Sequence, residues 1–351
     1  VDRIAAWIRR WKGAAEIRAG AGENLRADAR PPGRPKRSPQ GVPFARRSGT
    51  LVAGWLIDGS GGSSRANVRL EFGDGVLRRV AGAPAPPDAS ADPSAGGADD
   101  FSACTVLPGL VDSHVHLAMS GSGDEARRTR LRQAPAEVVF RTIQENLQEH
   151  LRCGVVAVRD GGGARGSAMR YAQGLRRRSR PGVRVFAAGR AWHRSGRYGR
   201  FIGRPPVGGL GLARSILADD DPCDLVKIVN SGVNSLTEFG RRTAPQFSPE
   251  EMTDAVRAAG RRGRPVMVHA NGEAAVRIAV AAGCGSVEHG FFMGPENLGR
   301  MAERGTVWVP TVVPMQAYAE HLGPADRRAQ VARRTVDHPL ELLQRPRGLQ
   351  T

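Results

Sequence analysis

From about residue 50 onward the hydrophobic residues fall into short runs, and their spacing changes character near residue 100. "TLVAGWLIDGSGG" and "ANVRLEFGDGVLRRVAG" alternate apolar and polar positions, as half-buried strands do, and the second contains a Gly-Asp-Gly turn signal at residues 73–75. Together they predict a small antiparallel β unit. A stretch rich in Pro, Ala, Asp and Gly follows over residues 82–99. Beyond it lie seven apolar runs, "TVLPGLVDSHVHL", "GVVAVRD", "VRVFAAG", "DLVKIVNSG", "PVMVHANG", "GSVEHG" and "TVWVPT", separated by helical segments. Residues 248–262 carry the start signals of a helix: Ser248 as cap, Pro249 for the first helical position and Glu251 to complete a capping box. Segments 272–282 and 296–304 predict shorter helices stopping at Gly283 and Gly305.

Repeated strand and helix units over about 250 residues predict an α/β fold, a parallel sheet with crossover helices. A (β/α)8 TIM-type barrel and a doubly wound open sheet share this local signal. With about seven strands present, the barrel is incomplete. The expected organisation is a basic Arg- and Pro-rich arm over residues 1–48, without stable structure, then a small β segment and loop over 49–104 and the barrel over 105–351.

A chain of 351 residues with 40% hydrophobic content can bury a sizeable core. No run approaches the roughly 18 apolar residues of a membrane span, and "IAAWI" is too short for a secretory leader, so the expected location is the cytoplasm. Cys104, Cys153, Cys223 and Cys284 are far apart with no CxxC pair, which predicts reduced cysteines and excludes a cysteine zinc ribbon. The net charge of +18 would suggest an anionic partner, but 8 of the excess charges lie in residues 1–48. The remainder lacks interleaved aromatics, so nucleic-acid binding is the weaker expectation.

The choice of basic residue is more informative than the charge. Three lysines, Lys12, Lys36 and Lys227, stand against 49 arginines, and Lys227 is the one outside the basic arm. In a chain this biased, a lysine suggests that the amine itself is used.

In "DSHVHL", His114 and His116 are two apart and project to one face of a strand. Alone, such a pair is more often coincidence or two satisfied polar residues than a metal site. Three further runs also end in ligand chemistry: Lys227 in "DLVKIVN", His269 in "PVMVHA" and His289 in "GSVEHG". Barrel enzymes collect their chemistry at the C-terminal ends of strands, where these residues would converge. His150, His193, His321 and His338 fall in helical or loop segments and are read as solvated or capping residues. Two adjacent divalent ions need a bridging anion, which a lysine carbamate would supply and arginine could not. The alternative is an ordinary surface lysine, against which stand its apolar neighbours Val226, Ile228 and Val229.

"VLPGLVDSHVHL" resembles the signature of the amidohydrolase superfamily. "GVVAVRDGGG", "DLVKIVNSG", "FSPEEMTDAVRAAGRRGRPVMVHANGEAAVRIAVAAGCGSVEHG" and "VPT" are similar, in order, to its imidazolonepropionase-related, prolidase-like branch. The resemblance implies a metal-bearing (β/α)8 barrel with a small β-sandwich. It implies that His114 and His116 bind one divalent ion and His269 and His289 another, zinc being the expected metal, with carbamylated Lys227 as the bridge. The implied reaction is hydrolysis of an amide or dipeptide-type carbon–nitrogen bond by a metal-activated water.

Single-metal deaminases of the family carry a glutamate three residues after the strand-five histidine; here that position is Gly272, with Glu273 one further on. A deaminase or imidazolonepropionase-like ring hydrolase is therefore the lesser alternative. Tyr198 stands where relatives place a histidine near the substrate, and a dipeptide with a C-terminal proline or basic residue is the expected substrate. A homo-oligomer is compatible with the family. The family's aspartate after strand eight, in a GTDAG-like motif, has no counterpart here, and "LELLQRPRGLQT" resembles the approach to that strand. The expectation is a fragment with little turnover and no assignable general base, or a chain that binds metal weakly.

Overall fold

The computed structural model describes residues 48–82, 98–178 and 182–343, so the expected basic arm lies outside the described residues except for Ser48. Strands β1 (Ser48–Leu56), β2 (Arg65–Gly73) and β3 (Val76–Gly82) form the antiparallel unit read from the alternation. The β2 to β3 turn is Asp74-Gly75, with φ of 53° and 77°, the paired positive values of a type I′ hairpin. A fourth strand, β4 (Asp99–Val106), adds parallel to β1 and gives the order β3-β2-β1-β4. Gly54 permits this pairing: a Cβ there would sit 2.1 Å from the Ser102 carbonyl oxygen, where the register shifts. Leu56, Val68 and Leu70 form its small core. Among the described residues this unit is one sheet, not two sandwiched layers.

"TVLPGLVDSHVHL" is not one strand. Thr105 and Val106 finish β4, Leu107-Pro108-Gly109 interrupts, and β5 (Leu110–Val115) begins afresh, because Pro108 has no N–H for a ladder. Parallel neighbours β6 (Val155–Asp160) and β7 (Arg184–Ala187) complete a three-stranded sheet, β5-β6-β7. A six-stranded parallel sheet contains, in chain order, β8 (Ala191–Trp192), β9 (Gly203–Arg204), β10 (Val226–Val229), β11 (Val266–Ala270), β12 (Ser286–His289) and β13 (Val307–Val309). Strands β10 and β11 are buried along their whole length, which is why their sequences are nearly continuous apolar runs.

The helices among the described residues are α1 (Glu125–Gln133), α2 (Ala136–Arg152), α3 (Ser167–Arg178), α4 (Gly211–Leu217), α5 (Pro249–Arg261), α6 (Glu273–Ala281), α7 (Pro295–Arg304), α8 (Val313–Leu322) and α9 (Arg327–Leu343). None is long and apolar enough to cross a membrane. Helix α5 starts as its sequence dictates: Ser248 Oγ accepts from the Glu251 N–H at 3.2 Å while Glu251 Oε2 accepts from the Ser248 N–H at 2.8 Å. Met252, Ala255 and Ala259 of α5 meet Ile228, Val268 and Val287 from three adjacent strands in the main core. The small side chains let the helix lie close against the sheet, and Met252 fills the space left.

The two parallel sheets do not close into one ladder. At one junction the Asp224 N–H donates to the Ala187 carbonyl at 2.8 Å, linking the end of β7 to the approach of β10. At the other, β5 and β13 each have one unpaired edge among the described residues, with Leu110, Val111 and Val307 exposed. Across the lumen, Arg159 of β6 ties both sheets together. Its Nε donates to the Ser113 carbonyl of β5 at 2.8 Å, its Nη1 to Ser286 Oγ at 2.9 Å and its Nη2 to Glu288 Oε1 of β12 at 2.8 Å.

Arg159→Met would strand a buried carboxylate and is expected to cost about 3–5 kcal/mol in urea unfolding. Arg159→Met combined with Glu288→Leu should recover most of that loss; a single variant as stable as wild type would mean the pair does not hold the sheets.

Candidate functional site

Five side chains from four strands converge on a cavity of about 540 Å³: His114, His116, His269 and His289 at or near strand ends, and Lys227 at the second position of β10. His116 lies one residue past β5, and the others lie within β5, β10, β11 and β12. Ring centroids are 5.3 Å apart for His114 and His116, 4.9 Å for His114 and His289, and 4.6 Å for His269 and His289. The HxH pair of the sequence therefore belongs to one continuous group of imidazoles.

Each imidazole has one nitrogen committed to the protein. His114 Nδ1 lies 2.6 Å from Glu288 Oε2, His116 Nδ1 2.8 Å from the Gly162 carbonyl, and His269 Nε2 3.0 Å from the Gly232 carbonyl. His289 Nδ1 lies 2.5 Å from Thr311 Oγ1. For His114, His116 and His269 the partner is an acceptor, which fixes the proton on that nitrogen and leaves the other with its lone pair free, the arrangement of a metal-ligating histidine; the Thr311 hydroxyl can donate or accept and orients the His289 ring. Burial holds all four rings below the ordinary imidazole range, His269 down to about 3, so they stay neutral, as ligation requires.

Lys227 is 1% exposed, and its Nζ has no hydrogen-bond partner among the described residues. Burial pulls its amine down to about 8. An orphaned, readily deprotonated amine among neutral imidazoles fits a lysine that carries a further group. No three His, Cys, Asp or Glu side chains among the described residues group tightly enough to hold an ion by themselves.

The backbone makes room for these groups. A Cβ on Gly161 would fall 3.3 Å from His116 Nε2 and 3.4 Å from His114 Nε2. Asp160 fixes the turn beside it, accepting from the Leu117 N–H at 2.7 Å and the Gly162 N–H at 2.9 Å. His289 and Thr311, which hydrogen-bond each other, adopt positive φ of 69° and 45°. Such strain costs about 1–3 kcal/mol per residue and persists where the surroundings enforce it.

Asp160, Gly161, Glu288 and Thr311 were not singled out in the sequence. For Asp160 and Glu288 a signal existed: each is a charged residue inside an apolar strand run. Tyr198 does border the cavity, its ring 5.3 Å from that of His269, and burial pushes its phenol up to about 12. Phe201, Ile202, Val309, Val313 and Pro314 make the rest of that wall apolar. Glu273, the alternative acid, does not line the cavity and pairs with Arg242 at 3.0 Å.

Among the other histidines, His193 departs from the expected solvated role: it is buried, its Nδ1 on the Arg194 carbonyl at 2.9 Å. His150 lies 3.6 Å from Asp112. All four cysteines are free; Cys104 and Cys153 are exposed, and Cys223 and Cys284 are buried.

The family model of the amidohydrolase family matches residues 105–323, the stretch that contains all five converging side chains. The chain belongs to the amidohydrolase family. It is 26% identical over 232 residues to ochratoxinase from Aspergillus niger, covering 59% of this chain and 47% of ochratoxinase. It thus spans about half the length of that curated relative. Among solved structures, a Xaa-Pro dipeptidase with bound methionine superposes with a TM-score of 0.66 at 25% identity, covering 83% of this chain and 74% of the dipeptidase. The A. niger ochratoxinase structure gives 0.63 at 21% identity, over 84% and 72% of the two chains, a likeness of fold. These superpositions assign the open sheets of this family member to the α/β barrel-type fold of amidohydrolases.

Neutral burial of the histidines has a sign in pH. The unfolded chain takes up protons near 6.5, whereas folded His269 resists until about 3, so the unfolded state binds more protons in between and stability falls as pH drops through that window. Through His269 alone, metal-free protein should lose roughly 1 kcal/mol between about pH 7.5 and pH 5.5 in urea unfolding. His269→Asn should shrink that loss; an unchanged pH dependence would contradict the assignment.

Proposed function

We propose that this amidohydrolase is a metal-dependent hydrolase of amide or dipeptide-type carbon–nitrogen bonds, of the prolidase-like branch. The reading is carried by one observation: four buried imidazoles, each tied through one nitrogen, share a cavity with a lysine whose amine has no partner. His114 and His116 would hold one divalent ion and His269 and His289 a second, with Lys227 carbamylated between them. Zinc suits such nitrogen donors. Divalent ions held there would supply Lewis acidity, making water more acidic and polarising a scissile carbonyl.

The chain's own residues do the rest. Glu288, Gly162, Gly232 and Thr311 fix the ring orientations before any substrate arrives. Tyr198, Phe201, Ile202 and Val309 offer an apolar wall on which a ring or aliphatic side chain would pack and exclude water. Such a wall suits an imino acid or an aromatic residue better than a basic one. The names of the Xaa-Pro dipeptidase and of ochratoxinase fit this class of substrate. The Glu273 to Arg242 ion pair speaks against a deaminase acid at that position. Asp112 is the one carboxylate lining the cavity among the described residues, and its Oδ1 accepts the His114 N–H at 3.0 Å. Proton transfer is assigned to no residue of this chain.

Loaded protein should contain close to two divalent ions per chain by elemental analysis, and a ¹³C-bicarbonate label should appear as a lysine carbamate. Lys227→Arg keeps the charge but cannot be carboxylated, so it should lose the label and at least half of the metal. A folded wild-type chain that takes up no divalent metal would sink the reading, while metal without cleavage of any Xaa-Pro or N-acyl amino acid would leave metal binding without the proposed hydrolysis.

A further inference from the structure

Glu288 is a buried carboxylate that the proposed chemistry does not use. It is wholly excluded from solvent and does not line the cavity. Both its oxygens are engaged: Oε2 faces His114 Nδ1 at 2.6 Å, while Oε1 accepts from Arg159 Nη2 at 2.8 Å and Ser286 Oγ at 2.6 Å. We propose that Glu288, oriented by Arg159, is a positioning residue that sets the tautomer of His114 and thereby the affinity of the His114 and His116 pair for a divalent ion. The proposal rests on the metal-site reading above.

A carboxylate can only accept, so the His114 ring must carry its proton on Nδ1. A neutral imidazole has one such proton, and Nε2 keeps its lone pair. Both rings line the cavity, and their Nε2 atoms come together beside Gly161, where a Cβ would fall 3.4 Å from that of His114 and 3.3 Å from that of His116. His116 draws its own orientation from the Gly162 carbonyl, a backbone acceptor that no side-chain substitution removes. Within the pair, then, only His114 takes its tautomer from a side chain.

Arg159 explains why the carboxylate points correctly. Its guanidinium fork spans Ser286 and Glu288 on β12 while Nε is anchored to Ser113 of β5, one residue before His114. The same arginine therefore fixes the strand that bears the imidazole and the carboxylate that orients it. Glutamine at 288 would defeat the device: with its oxygen on Arg159, its NH₂ faces His114 Nδ1 and favours the tautomer protonated on Nε2.

The test begins without mutation. In ¹⁵N-labelled, metal-free protein, imidazole nitrogen correlations should show His114 protonated on Nδ1; protonation on Nε2 overturns the proposal. Zinc affinity is then measured on the full chain by competition with a chromophoric chelator. Glu288→Gln should weaken one of two zinc sites roughly 10- to 100-fold and leave the other within threefold. Glu288→Asp keeps the charge for Arg159 but is too short to reach His114, so it should show the same selective loss and serves if the glutamine variant does not fold. A folded variant with both affinities unchanged overturns the proposal. A merely structural role would lower the unfolding midpoint without moving the tautomer or weakening one site selectively. Wild-type protein that binds no zinc would defeat the metal reading, whereas the tautomer measurement still judges the positioning role.

Discussion

A carboxylate removed from water must be met by hydrogen-bond donors, and in this fold that requirement joins parts that no β-ladder joins. Glu288 is reached by Arg159 from the three-stranded sheet and by His114 from the same sheet, while its own strand belongs to the six-stranded one. Taking two charges out of water costs several kcal/mol per ion before their attraction repays it, so the geometry of this cluster is over-determined rather than adjustable. The relative placement of β5, β6 and β12 follows from it, and so does the direction in which His114 faces.

The site built above this cluster is unfavourable for the folded chain taken by itself. Four imidazoles are held neutral, a lysine amine is buried without a partner, and His289 and Thr311 sit at positive φ. Strain and unsatisfied groups concentrated in one cavity are what a preorganised binding site looks like, because whatever binds there relieves costs that folding has already met. The apolar packing of α5, α6 and α7 against β10, β11 and β12 provides the stability against which these costs are set.

Much of this was legible in the chain. The seven apolar runs each contain one of the wall strands, and the capping box at Ser248 forms as its residues predict. Lys227 stood out because arginine is the rule elsewhere, and it is the residue whose amine is buried and unpaired. The strand β4 was missed because Pro108 and Gly109 lie inside a continuous apolar run, and periodicity alone does not show where a ladder breaks. Glu288 and Arg159 were passed over because each sits next to a more conspicuous neighbour, and their partners are 129 residues apart.

By itself the sequence determined the elements, since alternation, apolar runs and capping residues act over a few positions, and it determined which residue types could serve as ligands. Only the tertiary structure decided which of those residues share a cavity, which imidazole nitrogen faces it, and that the lysine amine there has no partner. Those outcomes depend on side chains brought together from distant strands, where burial makes every donor and acceptor count. Nothing local in the chain encodes such meetings.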